Sequence, residues 1–370
     1  MMDIPYINLK LQWQKEKKEL LPLVKKILAG GEYVIGNEVD RFEKNIAKVC
    51  KRKYAVAFNS GTDALLIGLI LLGVKKGDEV ITPPNSYIAS TTSITHLGAK
   101  PIFADVLDDQ NINPSEISKK ITDKTKAIMP VHLTGRICEM NEIKKISKKY
   151  KIPIIEDAAQ SIGSKYHGMP AGSFGEIACF SAHPLKNLNA CGDAGFLVTN
   201  NFSFYKRAKK IRNHGLEDRN RINEFGFLSR MDVLQAAILN FRIKKLNSTN
   251  KKRRKNAEFY FKNINKDFYS LINEKKYQYN TYHTFVIQTH KREKLIKYLN
   301  MKKIGTAIHY PIPIHLQKAS KYLKYKKGSF PVTEQQSKKI LTLPIHQNLK
   351  KNELIRIVKK LNEFAEKNER

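Results

Sequence analysis

A lysine amine can hold an aldehyde cofactor as a Schiff base, and a carboxylate facing a pyridine nitrogen keeps that nitrogen protonated, so that the ring accepts carbanion electrons. The sequence supplies both groups. Lys186 lies in Ser181-Ala-His-Pro-Leu-Lys-Asn-Leu-Asn-Ala-Cys-Gly-Asp-Ala-Gly195, downstream of Asp157 in Ile152-Pro-Ile-Ile-Glu-Asp-Ala-Ala-Gln160. The pairing predicts a lysine-bound pyridoxal phosphate. Lysines crowd this chain and most are solvated surface charges, so the surroundings of Lys186 and Asp157 carry the argument. Asp157 follows an apolar run that reads as a short buried strand, and ligands gather at the carboxyl ends of strands in open parallel sheets. A helix N-cap is the competing use of an Asp in that place.

A third component is Tyr54-Ala-Val-Ala-Phe-Asn-Ser60 followed by Gly61-Thr-Asp-Ala-Leu-Leu-Ile-Gly-Leu: a strand, a small-residue turn and a helix opening. Free backbone N–H groups and the helix dipole favour an anion there, and Gly61 lets the backbone come close to it. Ser60 or Thr62 can equally serve as a cap. Tyr87, just beyond the strand signal Asp78-Glu-Val-Ile-Thr, can stack on a flat ring or pack in a core.

These groups need a scaffold that presents strand ends and helix starts at one edge. Strand signals at Lys53 to Asn59, Glu79 to Thr82, Pro101 to Asp105, Ala127 to Val131, Ile152 to Asp157, Ile177 to Ser181 and Gly195 to Thr199 alternate with helical periodicity. Such alternation implies an α/β fold with a mostly parallel, helix-covered sheet. A helical segment through about Val49 precedes it. After Lys245 come a strand signal at Thr284-Phe-Val-Ile-Gln288, Tyr-rich loops and a terminal helix from Lys351, which suit a small α+β unit. We expect a large cofactor-binding domain over residues 1–245 and a small C-terminal domain over 246–370, consistent with a length beyond one ordinary core.

From Ile4 to about Leu349 the chain resembles the DegT/StrS family of sugar aminotransferases, fold-type I pyridoxal-phosphate enzymes similar in architecture to aspartate aminotransferase. The resemblance is carried in order by Asn59-Ser-Gly-Thr-Asp-Ala-Leu65, Pro130-Val-His-Leu-Thr-Gly135, Ile155-Glu-Asp-Ala-Ala-Gln160, Gly172-Ser-Phe-Gly175, the Lys186 segment, Arg212-Asn-His-Gly215, Ser229-Arg-Met-Asp232, His309-Tyr-Pro-Ile-Pro-Ile-His315 and Leu343-Pro-Ile-His346. It implies a seven-stranded sheet in the large domain, Lys186 as the cofactor lysine, Asp157 as partner of the pyridine nitrogen and Gln160 as partner of the ring oxygen. It further implies Gly61, Thr62 and Ser181 as phosphate ligands, Tyr87 as the stacking aromatic, and a homodimer with shared active sites. One position departs from the family pattern. An asparagine that reaches the partner subunit's cofactor phosphate usually precedes Ser-Arg-Met-Asp, and here the residue is Leu228, which has no donor. Losing one neutral donor costs roughly 1 kcal/mol, which weakens cofactor retention without abolishing activity. Asn223 or Arg230 are the candidate substitutes.

The implied reaction is a transamination in two halves, with L-glutamate as donor by family analogy and a keto acceptor. Lys186, already in place, would move the proton. The His309 to His315 loop and the opening Gly30-Gly-Glu-Tyr-Val-Ile-Gly-Asn-Glu-Val39 most resemble the branch acting on nucleotide-linked 3-keto-6-deoxy sugars for surface-glycan or related biosynthesis. A smaller phosphorylated ketone is the alternative. His309, Tyr310 and His315 are candidate substrate ligands, although loop histidines and prolines also serve turn geometry. Arg212 and His214 are candidates for an anionic ligand, against a helix C-terminal charge followed by a Gly215 cap.

A net charge of +33 raises nucleic-acid binding as the competing class, a basic regulator on the same scaffold. The lysines, however, alternate with apolar positions at helical spacing, as in Glu142-Ile-Lys-Lys-Ile-Ser-Lys-Lys149, and read as solvated faces. Only Lys251-Lys-Arg-Arg-Lys255 is dense, and we read it as an exposed hinge between domains, so no specific nucleic-acid partner is expected. The chain has no eighteen-residue apolar span and no h-region behind its Met-Met-Asp-Ile-Pro opening, so we expect a cytoplasmic protein without membrane insertion. Cys50, Cys138, Cys179 and Cys191 lack C-x-x-C spacing, which argues against a metal site or disulfide framework.

Overall fold

Alternate residues of the strand Tyr54–Phe58 face opposite sides of one sheet: Ala55 and Ala57 join one apolar cluster, Val56 and Phe58 the other. The same alternation runs through Ile177–Ser181 and Gly195–Thr199, as expected of strands buried on both faces. This is a computed structural model that describes residues 3–368. Strands Tyr54–Phe58, Gly195–Thr199, Ile177–Ser181 and Ile155–Asp157 pair in that order, while Glu79–Thr82 pairs on its two sides with Lys100–Phe103 and Thr125–Ile128. Parallel bridges from Ile128 to Ile154 and from Val131 to Asp157 join the two groups into one seven-stranded sheet. Gly195–Thr199 alone runs antiparallel to its neighbours. All seven strands expected from the sequence are present, and the fold is the expected mostly parallel α/β sheet of a fold-type I enzyme.

The helix Gly61–Leu71 is apolar around its circumference because it is covered on every side, and its Gly68 lies so close to Ile155 and Cys179 that a Cβ would come within 2.7 Å of Ile155 Cδ1. Helices Leu9–Gly30 and Asn37–Val49 precede the sheet. A separate apolar cluster gathers Tyr260, Phe285, Ile287, Leu299, Leu341 and Ile357 around the antiparallel strands Ser270–Leu271, Phe285–Gln288 and Ile340–Leu343. Ile4 belongs to this cluster. Its carbonyl accepts from Gly305 N–H at 2.8 Å, so the start of the chain is packed against its last third.

The basic run Lys251 to Lys255 is not the exposed hinge its charge density suggested. It lies within the helix Leu246–Asn263, where Arg253 is buried and Arg254 pairs with Glu274 at 2.7 Å. Among the described residues no helix is long and apolar enough to cross a membrane, no group of side chains is arranged to hold a metal ion, and the four cysteines are free, with only Cys191 exposed.

Candidate active site

Lys186 occupies a loop that begins and ends on the sheet. Ala182 N–H donates to Ala194 O at 2.8 Å, Ala190 N–H to Ala182 O at 2.7 Å and Lys186 N–H to His183 O at 2.8 Å. Asn187 fastens the loop from the far side: its amide donates to Asn250 Oδ1 at 2.9 Å and to Thr281 O at 3.0 Å. The lysine thus sits where the sheet, the Leu246–Asn263 helix and the Thr281 segment converge. Burial lowers its pKa to about 8, partly opposed by the carboxylate of Asp157.

Asp157 ends its strand beside the Ile177–Ser181 strand that leads into the lysine loop. Its Oδ2 accepts from Ser90 Oγ at 2.6 Å and its Oδ1 from Ala159 N–H at 3.2 Å. Burial pushes the carboxyl upward, while Ser90, the Ala159 amide and Lys186 favour the ionised form. The Asp157 side chain therefore bonds Ser90 besides its own turn, and it shares the electrostatic environment of Lys186.

Gln160 is buried and its Oε1 accepts from Thr134 N–H at 2.9 Å, which turns its amide toward Tyr310 Oη at 3.5 Å. The Tyr310 ring lies 5.9 Å from that of the exposed Tyr87. His309 Nδ1 is 3.0 Å from Thr342 Oγ1, and burial, reinforced by Lys186, lowers its pKa to about 4, so it is a neutral ring at physiological pH. Asp157, Gln160, Lys186, Tyr87, His309 and Tyr310 thus form one constellation.

The turn Ser60-Gly61-Thr62 opens the Gly61–Leu71 helix, with Ser60 as the N-cap accepting from Asp63 N–H at 3.1 Å. A Cβ on Gly61 would stand 2.7 Å from Ser181 Cβ, and one on Gly195 would stand 2.3 Å from Gly61 N, so glycine at both positions lets the turn lie directly on Ser181. Gly61, Thr62 and Ser181 are thereby brought together at a helix start with free amides.

Two candidate substrate ligands are not brought to this constellation. Arg212 is buried in a short ion pair with Glu43 and donates to Ala57 O at 2.8 Å, so its charge is committed beneath the sheet edge. His315 is buried against Phe330 and lies 3.0 Å from Glu334 Oε1, a pair that anchors its own loop. Gly215, at φ 80°, donates to Lys210 O as the helix-end reading anticipates. Ser90, Thr134, Asn187 and Asn250 escape sequence reasoning. Their signal is weak: Ser90 lies one helical turn beyond Tyr87, but Asn250 is distant in sequence and its partnership depends on tertiary packing.

The DegT/DnrJ/EryC1/StrS aminotransferase family model matches residues 14–362. The chain is 38% identical to the dTDP-3-amino-3,6-dideoxy-alpha-D-galactopyranose transaminase of Aneurinibacillus thermoaerophilus, over 98% of this chain and 99% of that one. It is 35% identical to the pleiotropic regulatory protein of Geobacillus stearothermophilus, again over 98% and 99%. Among solved structures, S. venezuelae DesV in complex with a ketimine intermediate superposes with a TM-score of 0.96 at 33% identity, covering 99% of both chains.

Proposed function

The chain belongs to the DegT/DnrJ/EryC1/StrS aminotransferase family and is a pyridoxal-phosphate-dependent aminotransferase; on that premise we propose that it moves an amino group from L-glutamate to a nucleotide-linked 3-keto-6-deoxyhexose. The observation that carries the chemistry is the shared environment of Lys186 and Asp157, a lysine with its pKa brought down to about 8 beside a buried carboxylate. The acceptor class is supported by the 38% identical transaminase of a dTDP-linked deoxysugar.

The residues fit the cofactor. Lys186 would anchor it covalently, Asp157 would face its ring nitrogen, Gln160 its ring oxygen and Tyr87 its flat face. Gly61, Thr62 and Ser181 would hold its phosphate, at a turn that lies directly on Ser181 because residue 61 has no Cβ. When bound, pyridoxal phosphate supplies an electron sink for the carbanion left as a proton leaves the amine-bearing carbon. Lys186 Nζ is suited to take up and return that proton near neutral pH, because burial has removed much of the cost of losing its own. Ser90 Oγ–H and the Ala159 amide favour the ionised form of Asp157 against the upward push of its burial. Neutral His309 and the Tyr310 hydroxyl, on the rim, offer hydrogen bonds to sugar hydroxyls without adding charge.

A homodimer accompanies this reading. Tyr33, Val34, Ile35, Phe225, Phe227 and Leu228 are all exposed, Phe225 at 97%, and a bridge between Val34 and Asp232 sets the first group beside the chain that follows Leu228. Apolar residues exposed together mark an interface, and a second copy is the partner that completes a shared site.

The test is the visible spectrum of purified protein with added pyridoxal phosphate, before and after L-glutamate, with Lys186→Ala beside it. A band that glutamate bleaches and the variant lacks establishes the donor half-reaction, after which a panel of nucleotide-linked and phosphorylated keto sugars identifies the acceptor. A protein that forms no band contradicts the assigned roles of Lys186 and Asp157.

A further inference from the structure

Asn189 follows Lys186 by three residues and closes the loop around it. Its Nδ2 donates to Pro184 O at 2.8 Å, so one side chain ties the backbone before the lysine to the backbone after it. The amide that does this is held in turn by the first helix, Leu9–Gly30. Gln12 Nε2 donates to Asn189 Oδ1 at 3.1 Å, and Asn189 Nδ2 donates to Gln12 Oε1 at 3.2 Å, a reciprocal pair between residues 177 apart in the chain. Both side chains are buried, Gln12 at 7% exposure and Asn189 at 5%. A side-chain amide has a donor end and an acceptor end. The reciprocal pair engages both, so it fixes which way round the Asn189 amide stands and keeps Nδ2 turned to Pro184.

The backbone of Asn189 is held from the same helix. Arg242 Nη1 donates to Asn189 O at 2.8 Å and to Ala190 O at 3.2 Å, while its Nη2 donates to Glu16 Oε2 at 2.7 Å, one turn beyond Gln12. The helix start is itself anchored, with Asn8 Oδ1 accepting from Leu11 N–H at 2.9 Å and Lys15 Nζ donating to Asn348 Oδ1 at 3.0 Å. Gln12, Lys186 and Asn189 line one recess of about 10 Å³, room for about one water, so the lysine has little space to move on that side.

We propose that Gln12 is a positioning residue for Lys186, fixing through the Asn189 amide the place from which the lysine moves its proton. The proposal rests on the aminotransferase reading and extends it to the first helix, which brings no group of its own to the constellation around Asp157. Proton transfer requires the amine within hydrogen-bond reach of the reacting carbon, and small misplacements of such a group are costly. The Gln12–Asn189 pair is neutral, so it orders the loop without placing a charge beside a lysine that must lose its own. The closed loop also maintains the burial that lowers the pKa of Lys186.

The experiment compares wild type with Gln12→Met, Asn189→Ala, the double variant and Lys15→Ala. Methionine matches the length of glutamine and makes neither amide bond. In the cofactor-free protein, the Lys186 and Ala190 amides, which donate within the loop, are expected to exchange hydrogen faster in Gln12→Met. The increase should be roughly thirtyfold, the scale of two neutral hydrogen bonds. The pH at which capture of pyridoxal phosphate levels off should move upward from about 8, since an open loop returns the amine to water. In the holoenzyme, the maximal rate at which L-glutamate bleaches the visible band should fall on the order of tenfold, at an unchanged half-saturating concentration. The double variant should lose no more than Asn189→Ala, because both act through one pair. Lys15→Ala, which releases the same helix at Asn348 alone, should behave as wild type. The proposal is overturned by a folded Gln12→Met with wild-type loop exchange and bleaching rate. Losses that Lys15→Ala reproduces, or that add to those of Asn189→Ala, also overturn it, by reducing Gln12 to an anchor of its helix. Absence of a band in wild type refutes the aminotransferase reading instead, while the exchange measurement still decides whether Gln12 holds the lysine loop. Should Gln12→Met not fold, Gln12→Ala cuts the same pair with the strongest helix former and no added bulk.

Discussion

Ser90 Oγ donates a 2.6 Å hydrogen bond to Asp157 Oδ2 from a position 67 residues earlier in the chain. Both side chains are buried, so the bond is a main counterweight to the desolvation that drives the Asp157 carboxyl upward. Removing it in Ser90→Ala sends that carboxyl further up. If Asp157 must be ionised for turnover, the acid limb of the kcat/KM profile moves to higher pH and activity at neutral pH falls about tenfold, the scale of one hydrogen bond to a charged group. An unchanged pH profile in a folded variant would show that Asp157 does not titrate in the working range.

For the cofactor-free protein, the rate of cofactor capture follows the neutral amine of Lys186. With a pKa of about 8, roughly one amine in a hundred is neutral at pH 6 and half at pH 8. Band formation after mixing with pyridoxal phosphate is expected to rise about tenfold per pH unit below 8 and to level above it. Stability carries the same signature. The folded-state pKa lies below the unfolded value, so the unfolded chain binds more protons between about 8 and 10.4 and stability of the cofactor-free protein rises across that window. Stopped-flow mixing and thermal melts at several pH values check the two arms, with Lys186→Met as control.

The sheet was legible because its strands are buried on both faces and so read as short apolar runs, from Tyr54–Phe58 to Gly195–Thr199, with turn signals between them. The central groups were legible for a chemical reason: Lys186 and Asp157 are of types that a buried site rarely carries idly. Residues whose importance comes from a distant partner were not. Ser90 looked like one serine among several until the sheet set it under Asp157, and Arg253 was one cation in a dense basic run until the helix turned it inward. Arg212 and His315 failed in the opposite direction. Each has a chemistry suited to a ligand, and each meets a carboxylate, Glu43 or Glu334, that spacing along the chain gives no means of foreseeing.

The Arg212–Glu43 pair also predicts a stability effect separable from catalysis. Glu43 accepts from Ala57 N–H at 2.9 Å as well as from Arg212, and both side chains are almost fully buried. Arg212→Ala leaves that carboxylate without its cation and is expected to destabilise the fold by about 3–5 kcal/mol. Arg212→Ala together with Glu43→Ala should recover part of the loss, since no charge is then left unpaired. Denaturant melts of the two single variants and the double variant measure the coupling. A substrate role for Arg212 predicts instead a higher acceptor KM at unchanged stability.

Leu228 offers the converse experiment, a gain. The backbone around it is fixed, with Phe227 N–H donating to Ile211 O at 2.7 Å and Ser229 N–H to Arg212 O at 2.9 Å, while the side chain is 58% exposed. An asparagine installed there would be displayed from a rigid segment at the apolar face that we assign to the second subunit. Both candidate substitutes are already engaged within their own subunit, since Arg230 donates to Asn213 Oδ1 at 3.1 Å and Asn223 bonds Glu217. Leu228→Asn is therefore expected to strengthen cofactor retention by about 1 kcal/mol, which slows cofactor loss on dilution roughly fivefold. The effect requires the partner subunit, so it should vanish where sedimentation shows the protein dissociated. Retention that improves equally in the monomer would place the new donor within its own subunit's site, and retention that does not improve at all would remove Leu228 from the shared site.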